Sequence, residues 1–134
     1  MYIKFCKLFR FKSFVNKSGT LIPLEIDKKF PIKVRRIFFI YGEKNYLRAD
    51  HAHKKCSQFF IPIFGKIKLN YKNKKNKSFK ILDFKKKEGF LLGPKNWCKI
   101  KFLTRNAILM VVCDRRYEFS DYIENYKDFL KFIK

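Results

Sequence analysis

The chain is short of the residues that usually punctuate or loosen a fold. Its 134 residues include five Gly and four Pro, which excludes a collagenous or low-complexity polymer. Only three residues are Ala. The longest apolar run, Ala107 to Cys113, has seven residues, whereas a bilayer-spanning helix needs about 18 or more. The apolar start of the chain is interrupted by Lys4, Lys7, Arg10 and Lys12, so it lacks the apolar core of a secretory signal. The four cysteines (Cys6, Cys56, Cys98, Cys113) show no CxxC spacing, so neither a zinc ribbon nor a dithiol redox motif is indicated. Without a secretory signal they are expected as reduced thiols. These absences point to a soluble, cytosolic protein with no membrane partner.

Acidic residues are also few, 11 against 33 Lys plus Arg, for a net charge of +22. Such a charge invites a nucleic-acid reading. It must first be discounted. Lys, Ile, Asn, Phe and Tyr together make up 72 of the 134 residues, and all five have A/T-rich codons. The excess is Lys (26) rather than Arg (7), and Arg is the residue that reads bases and grips phosphates bidentately. The densest run, Lys72 to Lys77, contains no aromatic residue and lies between two strand-like segments, as a solvated hairpin loop would. Nucleic acid is therefore not expected as a partner, while an anionic small ligand suits the charge.

What is present is apolar and aromatic: 47% hydrophobic and 19% aromatic residues. That composition excludes disorder, and the length gives one domain, residues 1–134. Extended segments are expected at Thr20–Ile26, Ile32–Tyr41, Arg48–Lys54, Ser57–Phe64, Lys66–Tyr71, Ser78–Phe84, Phe90–Leu92, Trp97–Leu103 and Ala107–Cys113. Many short strands at such spacing predict a sandwich or barrel. Tyr122, Ile123, Tyr126, Phe129, Leu130 and Ile133 recur at helical spacing. They predict a terminal helix over about 120–133 with Ser120 as its N-cap.

The informative residues are His51 and His53, the only two histidines. Two apart on a strand, their imidazoles share one face, about 6–7 Å apart. Four residues separate His53 from Gln58, and six separate Gln58 from Gly65, where a glycine permits a tight turn. An HxH pair, then an acid or amide, then Gly at this spacing resembles the first motif of the cupin barrels, whose histidines point inward. Metal-binding cupins add a Glu and a third His. Here Gln58 stands for the Glu, Trp97 stands near the third His position, and no third His exists. Two imidazoles do not make the three-ligand set of a catalytic zinc or non-haem iron site. We therefore expect no metal or other cofactor in catalysis, and histidines that serve as acids and bases near neutral pH.

Longer segments narrow the resemblance. Arg48-Ala49-Asp50-His51-Ala52-His53-Lys54 resembles the R-G-x-H-A-H-K segment of the nucleotide-sugar 3,4-ketoisomerases, small cupins acting on thymidine-diphosphate-linked 4-keto-6-deoxyhexoses. Arg36 to Gly42 is similar to the strand that precedes it. Gly93-Pro94 followed by Trp97 matches G-P-x-x-W. Tyr117 to Tyr126 resembles the tail Y-x-E-S-D-Y-I-x-x-Y, with Glu118 one place early and Phe119 in place of the acid. Ala49 replaces the family's Gly. The resemblance spans about 90 residues, from Arg36 onward. It implies an all-β, cupin-type barrel or jelly roll with a short C-terminal helix. It also implies a homodimer with exchanged strands, and the basic, apolar segment Tyr2 to Val15 is available for such pairing.

The implied chemistry suits the residues. A C4 ketone acidifies the C3 proton through an enediolate. A base removes that proton, an acid returns one at C4, and a second proton moves between O3 and O4. In this reading His53 is the principal base and His51 handles the other proton. Tyr41 is a hydrogen-bond donor approaching the histidines from a neighbouring strand. Arg48 stabilises the enediolate or binds a phosphate, Gln58 orients a histidine or sugar hydroxyl, and Trp97 lines the sugar or base pocket. The alternatives are a nucleotide-sugar 3,5-epimerase-like cupin and a non-catalytic module binding an anionic ligand or nucleic acid.

Overall fold

A computed structural model describes residues 6–134. The strands, in chain order, are β1 (Lys7–Arg10), β2 (Phe14–Asn16), β3 (Gly19–Leu21), β4 (Arg36–Tyr41), β5 (Leu47–His53) and β6 (Gln58–Phe64). They continue as β7 (Lys66–Lys72), β8 (Lys77–Asp83), β9 (Glu88–Leu92), β10 (Trp97–Phe102), β11 (Ile108–Cys113) and β12 (Tyr122–Ile123). Among the described residues there is one α-helix, α1 (Tyr126–Phe132). Two antiparallel five-stranded sheets face each other, ordered β1-β9-β6-β11-β4 and β12-β5-β10-β7-β8, and β2 and β3 form a separate hairpin. This is the jelly-roll architecture expected from the sequence, and among the described residues no helix is long and apolar enough to cross a membrane.

Period-2 alternation builds the space between the sheets. In β7, Ile67, Leu69 and Tyr71 are buried while Lys66, Lys68 and Lys72 alternate with them. The main core joins such residues from both sheets, among them Phe60, Leu69, Leu82, Phe90, Ile100, Phe102 and Leu109. A second cluster (Phe59, Ile61, Leu91, Val112) lies on the other face of the first sheet, against Leu24, Phe30, Ile32 and Val34. That cluster explains where the expected strands ran too long. Residues 22–35 form no strand. They cross the sheet irregularly, with an Asp27 turn capping the Lys29 amide and Pro31 unable to donate to a ladder. Gly65 carries φ +78° between β6 and β7, and a Cβ there would strike Thr104. The lysine-rich loop is the β7–β8 hairpin turn, held by Asn73.

The C-terminal expectation needs correction. The helix starts at Tyr126 with Asn125 as N-cap, not at Ser120. The residues 119–121 form one 3₁₀ turn, and Tyr122–Ile123 pair with β5. Ladder bonding to His53 and Ala52 outweighs the helical spacing of the apolar residues there. Ala52, Trp97, Ile123 and Phe129 then form a third cluster that docks α1 outside the barrel.

Candidate active site

Directly paired residues in neighbouring strands point to the same face, so the register locates the site. Across the first sheet, Arg36, Cys113, Gln58 and Leu92 form one row. Cys113 and Leu92 belong to the main core, so the row faces inward. In the second sheet His51 pairs with Cys98, another core residue, and His53 pairs with Tyr122. Both imidazoles therefore face the inter-sheet space, with the Arg36–Cys113–Gln58 row on the other sheet. A bulge makes this possible. Ala49 and Asp50 have φ values of +69° and +60°, and the β5–β10 register slips between Cys98 and Lys99.

His53 is buried, and its Nδ1 lies 2.9 Å from Asp121 Oδ2. Asp121 is itself fixed: Oδ1 accepts from the Lys55 amide at 2.7 Å and Oδ2 from the Cys56 amide at 3.3 Å. A carboxylate opposite Nδ1 makes that nitrogen the N–H donor. His53 Nε2 is then the basic nitrogen, and it is buried with no hydrogen-bond partner among the described residues. Burial opposes ionisation of Asp121. The hydrogen bond from His53, the two amides and the His53 charge outweigh it and hold the carboxyl below its ordinary value.

His51 stands edge-on to His53, with ring centroids 5.1 Å apart at 86°. Burial first, and the neighbouring His53 second, lower its pKa to about 4. It is therefore neutral at physiological pH. The Tyr122 ring packs on both imidazoles, at 5.0 Å from His51 and 4.4 Å from His53, and its hydroxyl accepts a bond from Arg36 at 3.4 Å. The Arg36 guanidinium is sandwiched by Phe38 and Tyr117. Behind the dyad, the Cys56 thiol donates to the Ser57 carbonyl at 3.3 Å, and the Cys113 thiol beside it accepts from Gln58. The neighbouring Cys113 thiol, then burial, pushes Cys56 up, and the Cys56 thiol lowers Cys113 with help from Gln58 and Arg36, against burial.

The other expected site residues separate into near and far. Gln58 is buried in the inward row, but its amide reaches Cys113 Sγ at 3.6 Å rather than a histidine. Arg48 is exposed on β5, just outside the bulge. Trp97 faces the opposite way from its inward neighbour Cys98. It packs on Tyr126 and Phe129 and donates to Asp50 at 3.0 Å, so it anchors the terminal helix and does not meet the histidines. Tyr41 does not approach the histidines either. β4 and β5 lie in different sheets, and Tyr41 is 76% exposed. It stands about 17 Å along the strand from Arg36, the end of β4 that reaches Tyr122. Asp121, Tyr122 and Arg36 were not picked out from the sequence as site residues. Their signals were present: an Asp-Tyr pair in the family-like tail, and Arg36 at the inward phase of β4.

A jelly-roll barrel whose interior holds two histidines, one of them fixed by a buried carboxylate, defines a cupin-type acid–base protein. Comparison with known proteins is consistent with that class. The chain matches the WxcM-like, C-terminal (FdtA) family model over residues 4–134, and it belongs to that family. It is 27% identical over 128 residues to a TDP-4-oxo-6-deoxy-alpha-D-glucose-3,4-oxoisomerase of Aneurinibacillus thermoaerophilus, covering 95% of this chain and 91% of that one. A variant of the 3,4-ketoisomerase QdtA from Thermoanaerobacterium thermosaccharolyticum, solved with TDP-4-keto-6-deoxyglucose, superposes with a TM-score of 0.89 at 27% identity. The match covers 99% of this chain and 96% of that one. The WlaRB TDP-quinovose 3,4-ketoisomerase from Campylobacter jejuni gives 0.87 at 30% identity, covering 96% of this chain and 99% of the other.

Proposed function

We infer that this chain is an isomerase, a nucleotide-sugar 3,4-ketoisomerase converting TDP-4-keto-6-deoxy-D-glucose to a TDP-3-keto-6-deoxyhexose. The observation that carries this reading is the His53–Asp121 dyad, with a free, buried Nε2 beside a neutral His51 inside the barrel. It occurs in a chain alignable almost end to end with named ketoisomerases.

In this mechanism His53 Nε2 takes the C3 proton, and Asp121 stabilises the imidazolium that forms. The electron pair moves into the C3–C4 bond and onto O4, giving the enediolate. A proton returns at C4 from His53, and O3 gives up its hydrogen, so the carbonyl now stands at C3. His51, neutral at physiological pH, carries the proton between O3 and O4. Arg36, across the barrel and held against Tyr122, supplies positive charge toward the enediolate oxygens. Arg48 and the lysine-rich surface meet the diphosphate, and Gln58 contributes a polar group to the floor. No redox cofactor is needed, because the carbon skeleton is neither oxidised nor reduced overall. The 3-keto product suits transamination toward a deoxyamino sugar for a surface glycan. Buried free thiols accord with a reducing, cytosolic setting.

A homodimer formed through the N-terminal region belongs to the same proposal. Among the described residues β1 pairs with β9 of its own chain. The β2–β3 hairpin, however, exposes Phe14, Val15 and Leu21, and edge strand β4 exposes Ile37, Phe39 and Tyr41. Such surfaces favour a second copy, and light scattering of the eluted protein tests it. Residues 2–5 of the segment expected to pair lie outside the described residues.

The decisive experiment is incubation with TDP-4-keto-6-deoxyglucose in heavy water, followed by proton NMR. The expected result is a 3-keto sugar carrying deuterium at C4. Unchanged substrate with a folded protein would refute the reading, and exchange at C3 or C5 without a shifted ketone would favour an epimerase. His53→Asn should stop C3 exchange. If His51→Asn stops it and His53→Asn does not, the roles of the two histidines are reversed.

A further inference from the structure

We propose that the inner end of the barrel holds a site for one soft divalent cation such as zinc, formed by His53 Nδ1, Cys56 Sγ and an Asp121 carboxylate oxygen, and that filling it switches off the His53 base. The three donor atoms lie within 4.8 Å of one another, and all three residues are buried. His53 Nδ1 and Asp121 Oδ2 already stand 2.9 Å apart, near the separation of about 3.3 Å between nitrogen and oxygen ligands of one tetrahedral zinc. Nitrogen and sulfur ligands of that ion sit about 3.5 Å apart, so Cys56 Sγ, within 4.8 Å of the pair, gives up its bond to the Ser57 carbonyl to join them. One thiolate and one carboxylate neutralise a divalent charge, so the filled site buries no net charge. The thiolate also favours zinc over magnesium or calcium.

This is not the cupin histidine pair. It uses the ring nitrogen that faces Asp121 rather than Nε2, and it leaves His51 out. The consequence follows from imidazole chemistry. Metal on Nδ1 moves the ring proton to Nε2, which becomes a donor and can no longer accept a proton from carbon. The Cys56 thiol proton is released to solvent. The dyad and the metal site are therefore mutually exclusive uses of the same atoms, and the cation is an inhibitor rather than a cofactor. The effect on turnover rests on the ketoisomerase reading, whereas the binding itself does not.

Two measurements on the wild-type protein test the binding. Titration with cadmium should give an ultraviolet thiolate-to-metal band that saturates at one ion per chain. X-ray absorption of the zinc-loaded protein should show one sulfur among nitrogen and oxygen neighbours. A third measurement tests the consequence. Zinc should inhibit turnover and chelator should restore it, and Cys56→Ser should raise the half-inhibiting zinc concentration more than tenfold, each variant being read against its own zinc-free rate. A missing thiolate band, a band retained in Cys56→Ser, a sulfur-free zinc shell, or equal inhibition of Cys56→Ser would overturn the proposal. Should the protein show no ketoisomerase activity, the cadmium band and the zinc shell still decide the site.

Discussion

Replacing Asp121 by Asn tests the logic of the site most directly. The carboxylate accepts three bonds: the Lys55 amide at 2.7 Å, the Cys56 amide at 3.3 Å and His53 Nδ1–H at 2.9 Å. Asparagine has one acceptor oxygen and one NH₂. If its oxygen stays on the short Lys55 bond, its NH₂ replaces Oδ2, gives up the long Cys56 bond and donates to Nδ1, so the ring proton moves to Nε2, which abolishes the base. If it flips, its NH₂ confronts the Lys55 N–H and loses the shorter bond, at a cost of about 1–3 kcal/mol. The working tautomer is therefore penalised by about that amount. The imidazolium formed in the reaction also loses a charge-assisted bond worth about 1 kcal/mol more than a neutral one. Together, about 2–4 kcal/mol corresponds to a fall in kcat of about 30- to 10³-fold. KM should stay within about threefold, since Asp121 lies behind the ring. Nitrogen NMR should find the His53 proton on Nδ1 in the wild type and on Nε2 in the variant. A kcat within threefold of wild type, or a loss confined to KM, would refute the reasoning. Stability gives an independent check. The depressed Asp121 pKa contributes stability that is present above the unfolded carboxyl value and lost as pH falls through the folded one. The urea midpoints of wild type and Asp121→Asn should therefore converge in acid.

Four further outcomes follow from the same geometry. His51, with its pKa lowered to about 4, binds fewer protons when folded than unfolded between about pH 6.5 and 4, so wild-type stability should fall across that window as pH drops; His51→Gln should flatten that part of the urea profile. Trp97→Phe loses the bond to Asp50 and part of the packing on Phe129 and should lower unfolding free energy by about 1–2 kcal/mol while leaving KM unchanged. Arg48→Gln should raise KM about tenfold with kcat retained, as loss of one phosphate contact would; initial rates check this. Tyr41→Phe should leave kcat within twofold in the same assay, because Tyr41 lies far from the histidines.

Much of the barrel was legible locally. Alternation marked β7, and continuous apolar runs marked β6 and β11, whose two faces are both covered, so β5 to β8 and β10 to β11 were bounded nearly residue by residue. His51 and His53 were legible as a pair because residues two apart share a strand face. What failed was whatever depends on a distant surface. Residues 22–35 carry strand-like apolar residues, yet these are spent covering the first sheet rather than extending a ladder. Tyr122 and Ile123 fit a helical stripe, yet an open edge on β5 claims them as a strand.

The sequence by itself determined the class of chemistry: two imidazoles on one strand face with a polar Gln58 nearby. Only the tertiary structure decided which groups tune them. Asp121 is 68 residues from His53 along the chain, and Arg36 is 86 from Tyr122. Tyr41, plausible by motif, points away from the histidines because sheet order puts β4 and β5 in different sheets. Periodicity is a property of neighbouring residues, while a pKa or a tautomer belongs to whatever the closed barrel brings within about 3 Å.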